Sequence, residues 1–338
     1  MKIQKNLYPV EASVLLSSAI EKTLKSEYFP ESNDISCRLH YRGINDTYIV
    51  FYNEQEYYFK VYRYGYRTIG EIQAEIDLIN HLKNSGVLTT EPIMKKNGDY
   101  IVQFDAPEGK RYAVLYSSVG AKSSEKVEEM DSYNTKLGLL LSSVHEAWDK
   151  IDYPVDRWRM DLDSFIDSSM NHIRAYTQWY SFDIDFLEEV AKKTKEKINN
   201  TLNKNKPGYG ICHGDFNPGN FRFDSNGNPV LFDFDFCGYS WRTYDISVYL
   251  NAFSLGLDNA GIEKRKRRRE AFLKGYQINM PLANIEFDNM YLFVPFRRIF
   301  NIGTIYISMS NTFGDNWGYV NLNEDIEILK KWIDYSKF

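Results

Sequence analysis

The first apolar pattern along the chain has a helical period. Residues 10–26, "VEASVLLSSAIEKTLKS", predict a helix with a mixed charged face. After the polar break Pro30–Asp34 the period changes to two. "CRLHYRGINDTYIVFYNEQEYYFKVYR" predicts three short strands that turn around Gly43–Asp46 and Asn53–Glu56. A second helix follows in "TIGEIQAEIDLINHLKNSG", where Ile69, Ile72, Ile76, Ile79 and Leu82 share a face and Gly86 supplies a stop. "EPIMKKNGDYIVQF", with a hairpin turn at Asn97-Gly98, and "RYAVLYSSV" predict two more strands. The polar stretch "GAKSSEKVEE" reads as a connector. Beyond it helical periods dominate at 129–148, 161–178, 183–203, 244–256, 261–279, 286–309 and 323–336, interrupted by a hairpin-like segment at 209–235. The expected architecture is α+β and bilobal. A small lobe, residues 1–117, carries an antiparallel sheet plus helix, and a larger, mostly helical lobe spans 118–338.

Composition narrows the class of protein. With 43% hydrophobic and 26% charged residues, the 338-residue chain can build a substantial core. A net charge of −5 provides no global field for nucleic acid or an anionic membrane. Cys37, Cys212 and Cys237 lack metal-site spacing and fit reduced thiols in a cytoplasmic protein. The N-terminal stretch has no apolar run suited to a signal peptide, and Arg297 and Arg298 break the most apolar late segment, "YLFVPFRRIFNIGTIYISM". Six consecutive basic residues, Lys264–Arg269, point all round a helix and read as a solvated surface.

The chemistry lies in "ICHGDFNPGNFRF" and "LFDFDF". Asp215, Asp233 and Asp235 stand among apolar, strand-like residues, where an uncompensated carboxylate is costly to desolvate. Their presence calls for a positive partner. Lys60, inside the alternating strand "EYYFKVYR", raises the converse question, because an inward ammonium needs an acid.

The spacing His213-Gly214-Asp215, four residues, Asn220, twelve residues, Asp233 resembles the HGD-x4-N and D-F arrangement of the aminoglycoside phosphotransferase, choline kinase and type II homoserine kinase superfamily. The likeness runs from about residue 36 to the C-terminal helices. It implies a protein-kinase-like fold and an ATP- and Mg2+-dependent transfer of the γ-phosphoryl to a small-molecule hydroxyl. Asp215 would take the hydroxyl proton, with His213 supporting its loop; Asn220 and Asp233 would offer oxygen atoms to Mg2+. Lys60 would contact the α- and β-phosphates and pair with Glu75 on the next helix, with Glu71 as the rival acid. The turn Gly43–Thr47, including Asn45, lies where the nucleotide-covering loop belongs, although it lacks the G-x-G-x-x-G run. Backbone groups near Tyr116 and Ser118 occupy the adenine hinge. Asp245, in "TYDIS", would orient the catalytic loop. Asp235, Trp241 and Arg242 are candidates for the acceptor side, with Asp235 alternatively a second metal ligand or the exposed alternate position of its strand. His145 reads as a packed residue near the loop.

The interval "CGYSWRTY" between Asp233 and Asp245 has no room for a protein kinase's activation segment, which favours small acceptors such as an antibiotic, an amino alcohol, homoserine or a sugar. The alternatives are a catalytically weak ATP-binding regulatory module and a kinase of protein Ser or Thr. A D-x-D phosphatase would need D-G-T after its motif, where this chain has Phe236-Cys237.

Overall fold

The computed structural model describes residues 8–30, 34–119, 131–251, 258–314, 322–336 and 338. The connector read at 120–129 lies outside them. The chain divides into two compact units, residues 1–80 with 90–120, and residues 81–89 with 121–338.

In the first unit five antiparallel strands run in the order β1-β2-β3-β5-β4: β1 Ser36–Arg42, β2 Asp46–Tyr52, β3 Gln55–Val61, β4 Val102–Ala106 and β5 Gly109–Ser117. Alternation along β3 sends Phe59 and Val61 into a core with Tyr48, Val50, Ala113 and Leu115, covered by Ile20, Leu24 and Tyr28 around helix α1 (Ser17–Glu27). Lys60, between them, therefore faces the other side. Helix α2 (Ile69–Asn84) starts in a capping box, in which Thr68 N–H donates to Glu71 and Glu71 N–H donates to Thr68 Oγ1. It buries Ile72, Ile76, Ile79 and Leu82, but Ile69, in the first turn, is half exposed.

Two local expectations are corrected. Residues 10–16 are not helical. Ser13 bonds Glu108, the Ser13 carbonyl accepts from Arg111, and the Leu15 carbonyl accepts from Tyr48, so backbone groups a helix would use internally are held by the sheet. Asn97-Gly98 closes a turn, with Lys95 N–H donating to Asp99 O, yet no strands flank it; the β4–β5 hairpin turns instead between Ala106 and Gly109.

The second unit is mainly helical: α3 Asp131–Asp149, α4 Ser168–Tyr176, α5 Ile184–Thr201, α6 Arg242–Asn251, α7 Asn259–Tyr276, α8 Asn284–Asp288, α9 Phe293–Phe300, α10 Ser308–Phe313 and α11 Leu322–Ser336. Two short antiparallel pairs are inserted, β6 (Tyr209–Cys212) with β9 (Gly238–Trp241), and β7 (Phe221–Phe223) with β8 (Pro229–Leu231). The helix expected over 286–309 is interrupted, and Asn301–Ile307 is wound as a π-helix. Close packing explains the need for a small residue there: a Cβ on Gly303 would stand 2.3 Å from the Ser169 carbonyl oxygen, and Thr304 bonds the Ser169 hydroxyl at 2.7 Å. In the basic run Arg268 is buried and Arg265 stacks over Trp332, while Lys264, Lys266, Arg267 and Arg269 are exposed. Among the described residues no helix is long and apolar enough to cross a membrane.

Candidate active site

In the first unit strand register brings Thr47 opposite Lys60, and Lys60 opposite Val114. The Lys60 ammonium lies 3.3 Å from the fully buried Glu75 carboxylate and 5.0 Å from the Tyr62 ring centroid. Glu75 also accepts from the Tyr116 hydroxyl at 3.3 Å. Glu71, the rival acid, closes the α2 capping box and approaches Arg67 at 3.7 Å. Buried ionic groups of this kind persist when paired and bonded, which answers the question Lys60 raised. In the β1–β2 turn Gly43 N–H donates to Asn45 O, and the Asn45 side chain accepts from Arg63 N–H at 3.1 Å. Tyr116 points inward to Glu75, and burial pushes its phenol well above the usual tyrosine range. Ser118 donates its N–H to Glu56 O at 3.2 Å, so that donor is already engaged.

In the second unit β6 ends at Cys212 and the chain turns through His213-Gly214-Asp215. Gly214 has φ of +80°, and a Cβ there would meet the Phe236 carbonyl oxygen at 2.0 Å. Only glycine fits both constraints. Fully buried Asp245, in the first turn of α6, accepts from the N–H groups of His213 (2.6 Å) and Gly214 (2.7 Å). Burial raises its carboxyl, but the bonds from His145 and Gly214 outweigh that and hold it below the usual aspartate value. His213 joins two segments: its Nδ1 accepts from Asp215 N–H, and its Nε2 donates to Phe232 O at 3.2 Å.

The next turn, Pro218–Asn220, is capped by Asn217, whose side chain accepts from Gly219 N–H. The amide nitrogen of Asn220 donates at 2.9 Å both to the Asp215 carbonyl and to its carboxylate Oδ2. Phe232 N–H donates to Asn220 O, so Asp233 is the residue next to this bond. Asp233 is exposed and has φ of +60°, an uncommon left-handed conformation for a residue with a side chain. That twist breaks strand alternation, and Cys237 N–H then donates back to Phe234 O. The consequence is a correction. Asp235 is not an exposed alternate position but is buried at 2% exposure, while Asp233 is the open one. Buried Arg157 clamps this turn from outside the motif, donating to the carbonyls of Phe234, Asp235 and Cys237.

Trp241 and Arg242, read as candidates for the acceptor side, are both buried. Trp241 is buried and donates its indole N–H to Asn203 O, and wholly buried Arg242 bonds Asp149 at 2.8 Å and the Ile211 carbonyl. Trp241 ends β9 and Arg242 begins α6, and both lie in the core. Two residues that the motif does not reveal do touch the site. Arg297 on α9 contacts the Asp215 carboxylate and bonds the Tyr244 hydroxyl at 2.9 Å. The sequence marks it only as a charge in an apolar run. His145 on α3 donates Nε2–H to Asp245 at 3.0 Å and accepts from Tyr276 OH at 2.7 Å.

Burial, reinforced by the Arg242 charge and only partly offset by Asp245, lowers His145 from 6.5 to about 4. In the unfolded chain it takes up a proton near 6.5, so between 6.5 and 4 the unfolded state binds more protons. Stability from this group is full above 6.5 and is lost as pH falls toward 4, at up to about 1.4 kcal/mol per pH unit. Urea unfolding at pH 7, 6 and 5 should show the decline, and His145→Gln should flatten it. Equal slopes in both proteins would remove His145 from the account.

Among the described residues one cluster has three metal-ligating types together, His145, Cys212 and Asp245. It is interior and otherwise engaged: His145 and Asp245 bond one another, and the Cys212 thiol approaches the carbonyls of Ser240 and Trp241.

An antiparallel five-stranded sheet with its buried Lys–Glu pair, followed by a helical unit with an HGD loop strapped to an aspartate, defines a protein-kinase-like phosphotransferase. The model of the phosphotransferase enzyme family matches residues 41–284, and the chain belongs to that family. It is accordingly a transferase of the phosphotransferase class. An uncharacterised protein of Synechocystis sp. is 28% identical over 256 residues, covering 75% of this chain and 68% of its own. The fold resembles that of an amicoumacin kinase in complex with AMP-PNP, Ca2+ and Ami (TM-score 0.74, 18% identity, 95% of this chain and 93% of that one). It also resembles a microcompartment-associated aminopropanol kinase (TM-score 0.67, 20% identity, 95% and 94%).

Proposed function

We propose that the protein moves the γ-phosphoryl of ATP, bound as its Mg2+ complex, to a hydroxyl of a small organic molecule. In this reading residues 1–117 are the nucleotide-binding lobe and 118–338 the catalytic and acceptor lobe, in a cytoplasmic enzyme. The observation that carries it is the use of Asn220: both its side-chain bonds to Asp215 leave from the amide nitrogen, so Oδ1 remains as an oxygen to offer.

With the Asp233 carboxylate, Asn220 Oδ1 would offer Mg2+ the oxygen donors it prefers. When bound, the metal supplies charge neutralisation along the triphosphate. Asp215 accepts the acceptor hydroxyl's hydrogen bond and takes its proton as the new O–P bond forms and the β–γ bridging O–P bond of ATP breaks, releasing ADP. Lys60, held by Glu75, carries the α- and β-phosphates; the Gly43–Thr47 turn, with Asn45, covers them. Asp245 and His213 fix the loop from which Asp215 projects. The kinases of amicoumacin and aminopropanol that share the fold favour a small acceptor, and amino alcohols are the class to try first, ahead of homoserine and sugars.

Calorimetric titration with ATP, with and without Mg2+, is the direct test, followed by ADP release against a panel of amino alcohols, sugars and antibiotics. Metal-dependent binding and acceptor-stimulated turnover are expected. ATP binding that ignores Mg2+, with no acceptor raising turnover above the water rate, would instead favour a regulatory nucleotide-binding module.

A further inference from the structure

The proposed base is held on both of its carboxylate oxygens. Oδ2 of Asp215 accepts from Asn220, and Oδ1 is in contact with Nη2 of Arg297. The other arm of the guanidinium, Nη1, donates to the Tyr244 hydroxyl at 2.9 Å and to the Gly214 carbonyl at 3.3 Å. One rigid, planar cation thus grips the base, the residue before it and a tyrosine one position before the loop-holding Asp245.

The helix that carries it is fixed. Phe293, Pro295, Phe296, Ile299 and Phe300 of α9 are all buried, so Arg297 is presented from a packed support. Burial works against the guanidinium's charge, but Tyr244 and Asp215 more than compensate and push its pKa up. It stays cationic. Its side chain is 22% exposed and that of Asp215 16%, so the pair borders solvent.

A base carboxylate has an electrostatic difficulty in phosphoryl transfer, because it must stand near a group that is itself strongly anionic. Two such charges repel through a partly desolvated site. A fixed cation against the carboxylate cancels that repulsion without occupying the oxygen turned toward Asn220.

We infer that Arg297 is a positioning residue for Asp215, which fixes the orientation of the carboxylate and offsets its charge so that the γ-phosphoryl of the nucleotide can approach. This rests on the reading of Asp215 and Mg-ATP given above.

The charge role makes a distinction that fold support does not. Only a nucleotide with a γ-phosphate meets the Asp215 carboxylate closely. In Arg297→Met, the affinity for Mg-AMP-PNP is expected to fall about tenfold while that for Mg-ADP changes less than twofold. Asp215→Asn, added to Arg297→Met, should restore AMP-PNP affinity to within about twofold of the wild type. Arg297→Lys, which keeps the charge, should lose less than threefold; it carries the comparison if the methionine variant does not fold. Calorimetry reads all four proteins without any acceptor. Equal losses for both nucleotides, no loss for either, or a loss that Asp215→Asn fails to rescue would each overturn the inference. Failure of the wild type to bind Mg-AMP-PNP at all would overturn the Mg-ATP reading itself, and the inference with it.

Discussion

Asp215→Ala is expected to abolish acceptor phosphorylation while leaving ATP affinity undiminished. A positioned general base contributes about 10²–10⁴ in rate, and this carboxylate also orients the hydroxyl, so a loss of at least about 10³ in kcat is the expected figure. The nucleotide contacts proposed for Lys60 and for the Gly43–Thr47 turn are not altered by the change. Asn220 loses one of its two acceptors but keeps the Asp215 backbone carbonyl, so the loop has a reason to stay in place. The check is steady-state ADP release with the best acceptor, together with titration by ATP and Mg2+. A variant that still turned over at even a tenth of the normal rate would show that some other group takes the proton.

The largest stability effect is expected at Asp245→Ala. Its carboxylate satisfies two buried backbone N–H groups and the His145 ring, and it is wholly buried itself. Truncation leaves those donors without a partner in a water-excluded place, where removal of one side of a buried charged network costs about 3–5 kcal/mol. The damage is also directional. His213 and Gly214 are the two residues before Asp215, so kcat should fall along with the urea midpoint. Asp245→Asn keeps one carbonyl oxygen for these donors and should fall between the wild type and Asp245→Ala in both measurements. An Asp245→Ala protein that unfolds at the normal urea concentration would contradict the network.

Much of this site can be read along the chain because phosphoryl transfer needs its groups at short, fixed separations. His213, Asp215 and Asn220 lie within eight consecutive residues of one loop, and a loop of that length can bring them together by local turns alone. Lys60 and Glu75 are similarly legible, since strand alternation and helix phase each turn one polar residue toward a buried face. The alternate-position reading of Asp235 fails for a local reason. The alternation rule holds only while the backbone stays extended, and the left-handed twist at Asp233 ends it.

The α+β order of elements, the HGD loop and the acids and lysine proposed to serve ATP are all legible along the chain. It takes the folded molecule to show that Arg297, 82 residues from Asp215, reaches its carboxylate, and that His145, 100 residues from Asp245, completes the loop's support. The folded molecule likewise shows that Arg157 clamps the Asp235 turn and that Trp241 and Arg242 belong to the core. The physical reason is the range of the interactions. Hydrophobic period and turn chemistry act over a few residues and leave a trace in the order of amino acids. A guanidinium on a helix meeting a carboxylate on a distant loop depends on how the two segments pack, and packing is set by the sum of many weak contacts that no single segment contains.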